Sequence, residues 1–155
     1  MTITLDNIEL NVYKKFLWTT IYIDYNGKTT LVNKDKLPRT IEIIKGNYEI
    51  IKSYYLSNLT KNNATDLSDL NTICVKILLY YIDQYSRWKV QYKKSNYDIK
   101  FYTKDFEHPS TNDLIVFHLI EKHPDNWKSI SSQYLNMSQT EFEEYWKNRE
   151  AYFNK

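Results

Sequence analysis

The sequence predicts an α+β fold on the basis of three observations. Over residues 1–105, β-branched and aromatic runs on either side of Asn26-Gly27 indicate strands. Residues 69–86 instead repeat apolar side chains at helical spacing, and residues 106–155 carry two tryptophans among three short helical patterns. We therefore expect an N-terminal domain at 1–105, with a mixed sheet of about five strands and two helices, and a three-helix domain at 106–155.

The first part of the N-terminal domain carries strand patterns. Apolar residues alternate loosely over residues 3–10, and residues 16–23 are rich in β-branched and aromatic side chains. Asn26-Gly27 then predicts a type I′ hairpin turn, because both central positions of that turn need positive φ. Residues 29–32 would form the return strand, and residues 40–44, Thr-Ile-Glu-Ile-Ile, predict a further strand.

From residue 47 onward, the apolar side chains have helical spacing. Apolar side chains at spacings of three and four predict a helix over residues 47–59 and a longer one over residues 69–86, with a polar loop at 61–68 between them. Residues 88–101 return to period two, so a second hairpin is expected there.

Three helices are predicted in residues 106–155. The first covers about 111–122, with an N-cap at Ser110. The second starts near Asp125 or Asn126. The third begins after Ser138, because Ser138 and Glu141 have the spacing of a capping box. The residues expected in their shared core are Leu119, Trp127, Ile130, Phe142 and Trp146.

The C-terminal segment resembles a Myb/SANT/homeobox-like three-helix domain over about residues 106–153. The resemblance rests on Trp127-Lys-Ser-Ile130, on Trp146-Lys-Asn148 and on the 19-residue interval between the two tryptophans. His108 and Pro109 occupy the region where the first Myb tryptophan is expected. From the residues alone, a plain helical hairpin with tryptophan in its core is the alternative.

The resemblance implies a third helix that contacts either DNA or a second protein. In DNA-binding Myb repeats this helix lies in the major groove, which implies DNA contacts at Lys147 and Asn148. Lysine can reach guanine, and asparagine can pair with adenine. Glu143 and Glu144 fit DNA less well, because carboxylates face the phosphates. An acidic third helix resembles SANT modules, which tend to bind basic protein tails or partner subunits.

Other cations are further candidates for DNA contact. Arg149 and Lys128 lie in the C-terminal domain, and Lys93 and Lys94 lie in the predicted second hairpin among aromatic residues. Basic and aromatic side chains together can follow a nucleic-acid backbone and stack on its bases. The alternative is a solvated hairpin face over an aromatic core. Residues 1–105 carry 16 Lys/Arg and 11 Asp/Glu, whereas residues 106–155 carry 5 and 8, so the basic surplus lies outside the three-helix domain.

Composition excludes several functions. Only two glycines are present, so a glycine-rich phosphate loop is absent. Cys74 is the sole cysteine, which leaves no internal disulfide and no cysteine-based zinc site. His118 and His123 are five residues apart with no acidic partner evident in sequence, so neither a metal nor a cofactor is expected. No signal peptide or bilayer-spanning apolar run is evident, so we expect a nuclear or cytoplasmic protein in a reducing compartment.

The leading hypothesis is a non-enzymatic accessory subunit of a DNA-directed complex. By resemblance, homeobox-like accessory subunits of protist adenine-DNA methyltransferase complexes have this size and layout. Protein partner subunits are expected, with DNA bound weakly by the chain alone, and neither a membrane nor a small-molecule substrate. A viral or phage protein that inhibits a host factor through its 15 tyrosines is the alternative. A small nuclease that uses Glu141, Glu143 and Glu144 ranks lowest.

Overall fold

A computed structural model describes residues 1–14, 20–33, 37–87 and 110–153. These residues form an α+β fold, in which a four-stranded antiparallel sheet precedes five helices. The strands are β1 (Thr2–Leu5), β2 (Ile8–Lys14), β3 (Thr20–Tyr25) and β4 (Lys28–Asn33). The helices are α1 (Leu37–Lys61), α2 (Leu70–Arg87), α3 (Thr111–Lys122), α4 (Trp127–Tyr134) and α5 (Gln139–Phe153).

The sheet has the strand order β1-β2-β3-β4, and each neighbouring pair is antiparallel. The predicted hairpin at Asn26-Gly27 is confirmed, because φ is 49° at Asn26 and 78° at Gly27, and Tyr25 pairs with Lys28. The described part of the sheet is antiparallel throughout rather than mixed. Alternate side chains are buried on one face of the sheet: Ile3, Leu5, Leu10, Val12, Ile21, Ile23, Thr30 and Val32.

The strand predicted at residues 40–44 is wrong, because these residues lie in α1. Buried side chains recur along α1 at helical spacing, at Thr40, Ile44, Tyr48, Ile51, Tyr55 and Leu59. Pro38 lies in the first turn, where backbone N–H groups lack helical acceptors in any case. Burial of one helix face therefore outweighs the β propensity of the isoleucines.

The helix predicted at 69–86 is confirmed as α2, and the polar loop predicted at 61–68 separates it from α1. The helix predicted at 47–59 is the second half of α1. The hairpin predicted at 88–101, with Lys93 and Lys94, lies outside the described residues.

Tyr48 joins α1 to the turn between β1 and β2. Its hydroxyl donates a hydrogen bond of 2.6 Å to Oδ2 of Asp6, and its ring is buried. Burial and the neighbouring Asp6 carboxylate raise the pKa of Tyr48 above its usual value, so the phenol keeps its proton and acts as the donor. This bond positions the start of the sheet against the helix.

The chain divides into two compact units. Among the described residues, the first unit comprises Met1–Ile51 and residues 74–87, and the second comprises Lys52–Ile73 and residues 110–153. In this division Lys52–Ile73 groups with the C-terminal helices, and the predicted boundary between 105 and 106 lies outside the described residues. In the described parts of the chain, every helix is too short or too polar to cross a bilayer.

Candidate interaction surface

Two of the C-terminal helices, α3 and α5, begin at capping boxes. At α3, Ser110 Oγ accepts a hydrogen bond from Asp113 N (3.2 Å), and Asp113 Oδ2 accepts one from Ser110 N (2.8 Å). The same arrangement precedes α5, where Ser138 Oγ accepts from Glu141 N (3.1 Å) and Glu141 Oε1 accepts from Ser138 N (3.0 Å). The second box was predicted from its spacing and is confirmed.

An aromatic core holds the three helices together. Phe142 and Trp146 are buried with Val116, and their rings stack at 6.3 Å with an interplanar angle of 11°. The Trp127 ring lies edge-on, 6.2 Å from each of them, and is partly buried. Of the other residues expected in this core, Leu119 is buried and Ile130 is half-buried. The two tryptophans therefore meet in one cluster.

The prediction that Arg149 contacts DNA requires an exposed side chain, and Arg149 is buried. It is only 7% exposed, its Nε donates a hydrogen bond of 3.0 Å to Asp113 Oδ1, and its Nη2 donates to Oδ2 of the same carboxylate. Its guanidinium also lies over the rings of Tyr152 (4.9 Å) and Phe153 (5.2 Å). Because this charge is buried and neutralised, Arg149 holds α5 against α3 and is not presented to a ligand.

The exposed surface of α5 is acidic. Lys147 and Asn148 are exposed, as the DNA hypothesis requires. The exposed carboxylates of the same helix are Glu141, Glu143, Glu144 and Glu150. With Arg149 neutralised, four carboxylates face solvent against the single ammonium of Lys147. Lys128 is also exposed, and its ammonium lies 5.6 Å from the centroid of the Trp127 ring.

Two asparagines of α1 bind the end of α4, which the sequence did not reveal. Asn58 Nδ2 donates a hydrogen bond of 2.8 Å to the carbonyl of Tyr134, and Asn62 Nδ2 donates one of 3.1 Å to Oδ1 of Asn136. The last carbonyls of a helix have no partner within it, so a side-chain amide can satisfy them. One signal was available in the sequence, since Asn58 lies between apolar residues on the buried face of α1.

His118 and His123 share an acidic partner that lies far away in sequence. Nε2 of His118 lies 3.0 Å from Asp69 Oδ1, and Nε2 of His123 lies 2.6 Å from Asp69 Oδ2. The expectation that these histidines lack an acidic partner is therefore wrong. Burial alone would raise the pKa of Asp69, but the hydrogen bonds from His118 and His123 outweigh burial, and this pKa lies below its usual value.

The Asp69 cluster links the residue before α2 to His118 in α3 and to His123, the residue that follows α3. Its carboxylate oxygens are both engaged by imidazole nitrogens, so they are occupied as acceptors. In the residues that the structure describes, no three His, Cys, Asp or Glu side chains are arranged to hold a metal ion. The cluster therefore stabilises the second unit.

Comparisons with protein-family models, with curated proteins and with solved structures find no match to this chain. What α5 can do chemically follows from its exposed groups. Carboxylates accept charge-assisted hydrogen bonds from guanidinium and ammonium groups, and they repel phosphates. The amide of Asn148 and the ammonium of Lys147 can add donors beside them. This surface therefore suits a basic ligand better than an acidic one.

Proposed function

We propose that this chain is a non-enzymatic accessory subunit that binds a partner protein through its C-terminal helices. The acidic exposed surface of α5 carries the proposal. In a Myb/SANT-like unit, the third helix is the recognition element, and here α5 presents four carboxylates and one lysine. The shared core of Trp127 and Trp146 supports the Myb/SANT-like interpretation.

Direct reading of DNA is the second candidate, because Lys147 and Asn148 are both exposed on α5. Affinity for DNA depends largely on neutralising phosphates, and the net charge of this surface opposes it. If the chain acts on DNA, it therefore needs other subunits to supply most of the DNA affinity. We propose that it belongs to a DNA-directed complex of this kind, such as an adenine-DNA methyltransferase complex in the nucleus. A viral or phage protein that inhibits a host factor would instead act through a tyrosine-rich surface.

Fluorescence anisotropy with the full-length chain separates these candidates. The two probes are a labelled DNA duplex and a labelled arginine-rich peptide, each titrated at about 50 mM salt and again at higher salt. We expect the peptide to bind with an affinity that falls as salt rises, and the duplex not to bind. The Glu143→Lys, Glu144→Lys double variant should abolish peptide binding, whereas Glu9→Lys, at an exposed position of β2, should not.

Two results would contradict the proposal. A duplex that binds at low salt, and no longer binds after Lys147→Ala and Asn148→Ala, would make α5 a DNA-reading helix. Peptide binding that is unaffected by the Glu143→Lys, Glu144→Lys variant would remove α5 as the protein-binding surface.

A further inference from the structure

An exposed apolar strip runs across α3 and α5. Phe117 is 37% exposed, and its ring centroid lies 5.9 Å from that of Trp146 and 5.5 Å from that of Phe153. Ile120 lies one turn after Phe117 and is also 37% exposed. Tyr152 is 43% exposed and its ring is 6.1 Å from that of Phe153. These exposed side chains therefore lie on α3 and on α5, the helix that carries the acidic surface.

Carboxylates lie on the same helix faces as this strip. Glu121 is exposed and follows Phe117 by four residues, which places it one turn along the same face of α3. Glu150 is exposed on α5, four residues after Trp146 and three before Phe153, the two residues that the Phe117 ring contacts. Each helix therefore supplies one exposed carboxylate within a turn of the Phe117 contacts.

Two exposed lysines also lie near these carboxylates. Lys122 follows Glu121 by one residue, about 100° around α3, and Lys147 precedes Glu150 by three residues, within one turn of it on α5. Lys147 lies about 100° around α5 from Trp146, whereas Glu150 shares the face of Trp146 that the Phe117 ring contacts. An aromatic face flanked by carboxylates is complementary to a planar cation, because the ring attracts positive charge over its face.

The chain already binds one guanidinium in this way. Arg149 is held by the Asp113 carboxylate while its guanidinium lies over Tyr152 and Phe153. That internal arginine uses the same two components, a carboxylate from α3 and aromatic rings from the end of α5. Phe117, Glu121 and Glu150 repeat these components at the surface.

We propose that Phe117, Glu121 and Glu150 form a binding site for an arginine side chain of a basic segment in the partner protein. The guanidinium would stack on Phe117 and donate hydrogen bonds to the two carboxylates. A lysine in the same place has a compact, strongly hydrated charge without a planar face, so it binds less well. This site rests on the proposed function, and it specifies both the residue type that is recognised and where it binds.

The test compares two labelled peptides, one arginine-rich and one with lysine at every arginine, binding to the full-length chain in anisotropy titrations. We expect the wild type to prefer the arginine peptide. Phe117→Leu keeps an apolar side chain but removes the aromatic face, and it should weaken arginine-peptide binding about two- to fivefold and erase the preference over lysine. Glu150→Gln should weaken both peptides by about twofold.

Matched controls distinguish this site from general effects. Tyr54→Leu removes an aromatic ring of similar exposure on α1, and Glu9→Gln removes an exposed carboxylate on β2, so neither should change peptide binding. Thermal unfolding followed by circular dichroism checks that each variant is folded. If Phe117→Leu is destabilised, Glu121→Gln and Glu150→Gln still test the site, because both positions are exposed.

The outcomes separate this site from the broader function. If the wild type binds the basic peptides but all three site variants bind as tightly as the wild type, this site is overturned while partner binding by α5 stands. If the wild type binds neither peptide, the proposed function fails and the site fails with it. If the wild type sediments as a dimer that Phe117→Leu converts to a monomer, a second copy of the chain covers the strip, which overturns the arginine site.

Discussion

The Asp69 carboxylate lies between two imidazole rings, and this position couples its ionisation to folding. Nε2 of His118 and Nε2 of His123 both approach it, and His118 is buried. The Asp69 charge also acts on Asp66, where it opposes the hydrogen bonds from Ser68 that lower the pKa of Asp66. Because the pKa of Asp69 is lowered in the folded chain, the unfolded chain binds more protons at this residue over the acidic range.

We predict that the free energy of unfolding falls in acid through Asp69. Its contribution is fully present above the unfolded pKa of about 3.9, and it is lost as pH falls through the lower folded value. Urea unfolding at several pH values between about 6 and 3 should therefore show a steeper loss for the wild type than for Asp69→Asn. Asp125→Asn, at an exposed carboxylate, should follow the wild type. Parallel curves for wild type and Asp69→Asn would contradict this account.

At the scale of elements, α1 explains where local sequence signals succeed and where they fail. The Asn26-Gly27 turn, α2, and the Ser138–Glu141 box were all predictable, because each depends on residues close together in sequence. The strand predicted at residues 40–44 was wrong. Their β-branched side chains favour a strand, but their burial depends on the packing of the whole helix. Gly46 also made a continuous helix difficult to predict, because glycine disfavours helix interiors.

Gly46 offers a direct test of α1. It lies in the helix interior and is exposed, and a Cβ added there would meet no atom within 4 Å. Gly46→Ala should therefore raise the free energy of unfolding by about 0.5–1 kcal/mol, because alanine loses less backbone entropy in a helix. Gly27→Ala is the contrasting variant and should destabilise, since φ is 78° at that turn. Denaturant titrations of both variants measure the effect, and a destabilising Gly46→Ala would argue against a continuous helix.

At the scale of the whole molecule, the candidate site was only partly predictable. The exposure of Lys147 and Asn148 follows from helical spacing around Trp146, which local sequence supplies. The burial of Arg149 depends on Asp113, which is 36 residues away in sequence, so spacing within α5 could not reveal it. The same holds for Asp69, whose partners are His118 in α3 and His123 directly after it. Contacts between distant segments decide which charges reach the surface.

The last prediction concerns whether the C-terminal helices fold alone. Chains as short as residues 106–155 bury a smaller fraction of their surface than larger domains do. In the full chain, Tyr134 accepts a hydrogen bond from Asn58, and His123 is bonded to Asp69. We therefore expect residues 106–155, produced alone, to unfold without a cooperative transition in thermal circular dichroism, whereas residues 52–155 should keep one. In the full-length chain, Asn58→Ala should cost about 1–3 kcal/mol, because it leaves a buried carbonyl of Tyr134 without its donor. A fragment 106–155 that melts cooperatively at the temperature of the intact chain would support the predicted boundary at 105/106 and show that Lys52–Ile73 is dispensable for the three helices.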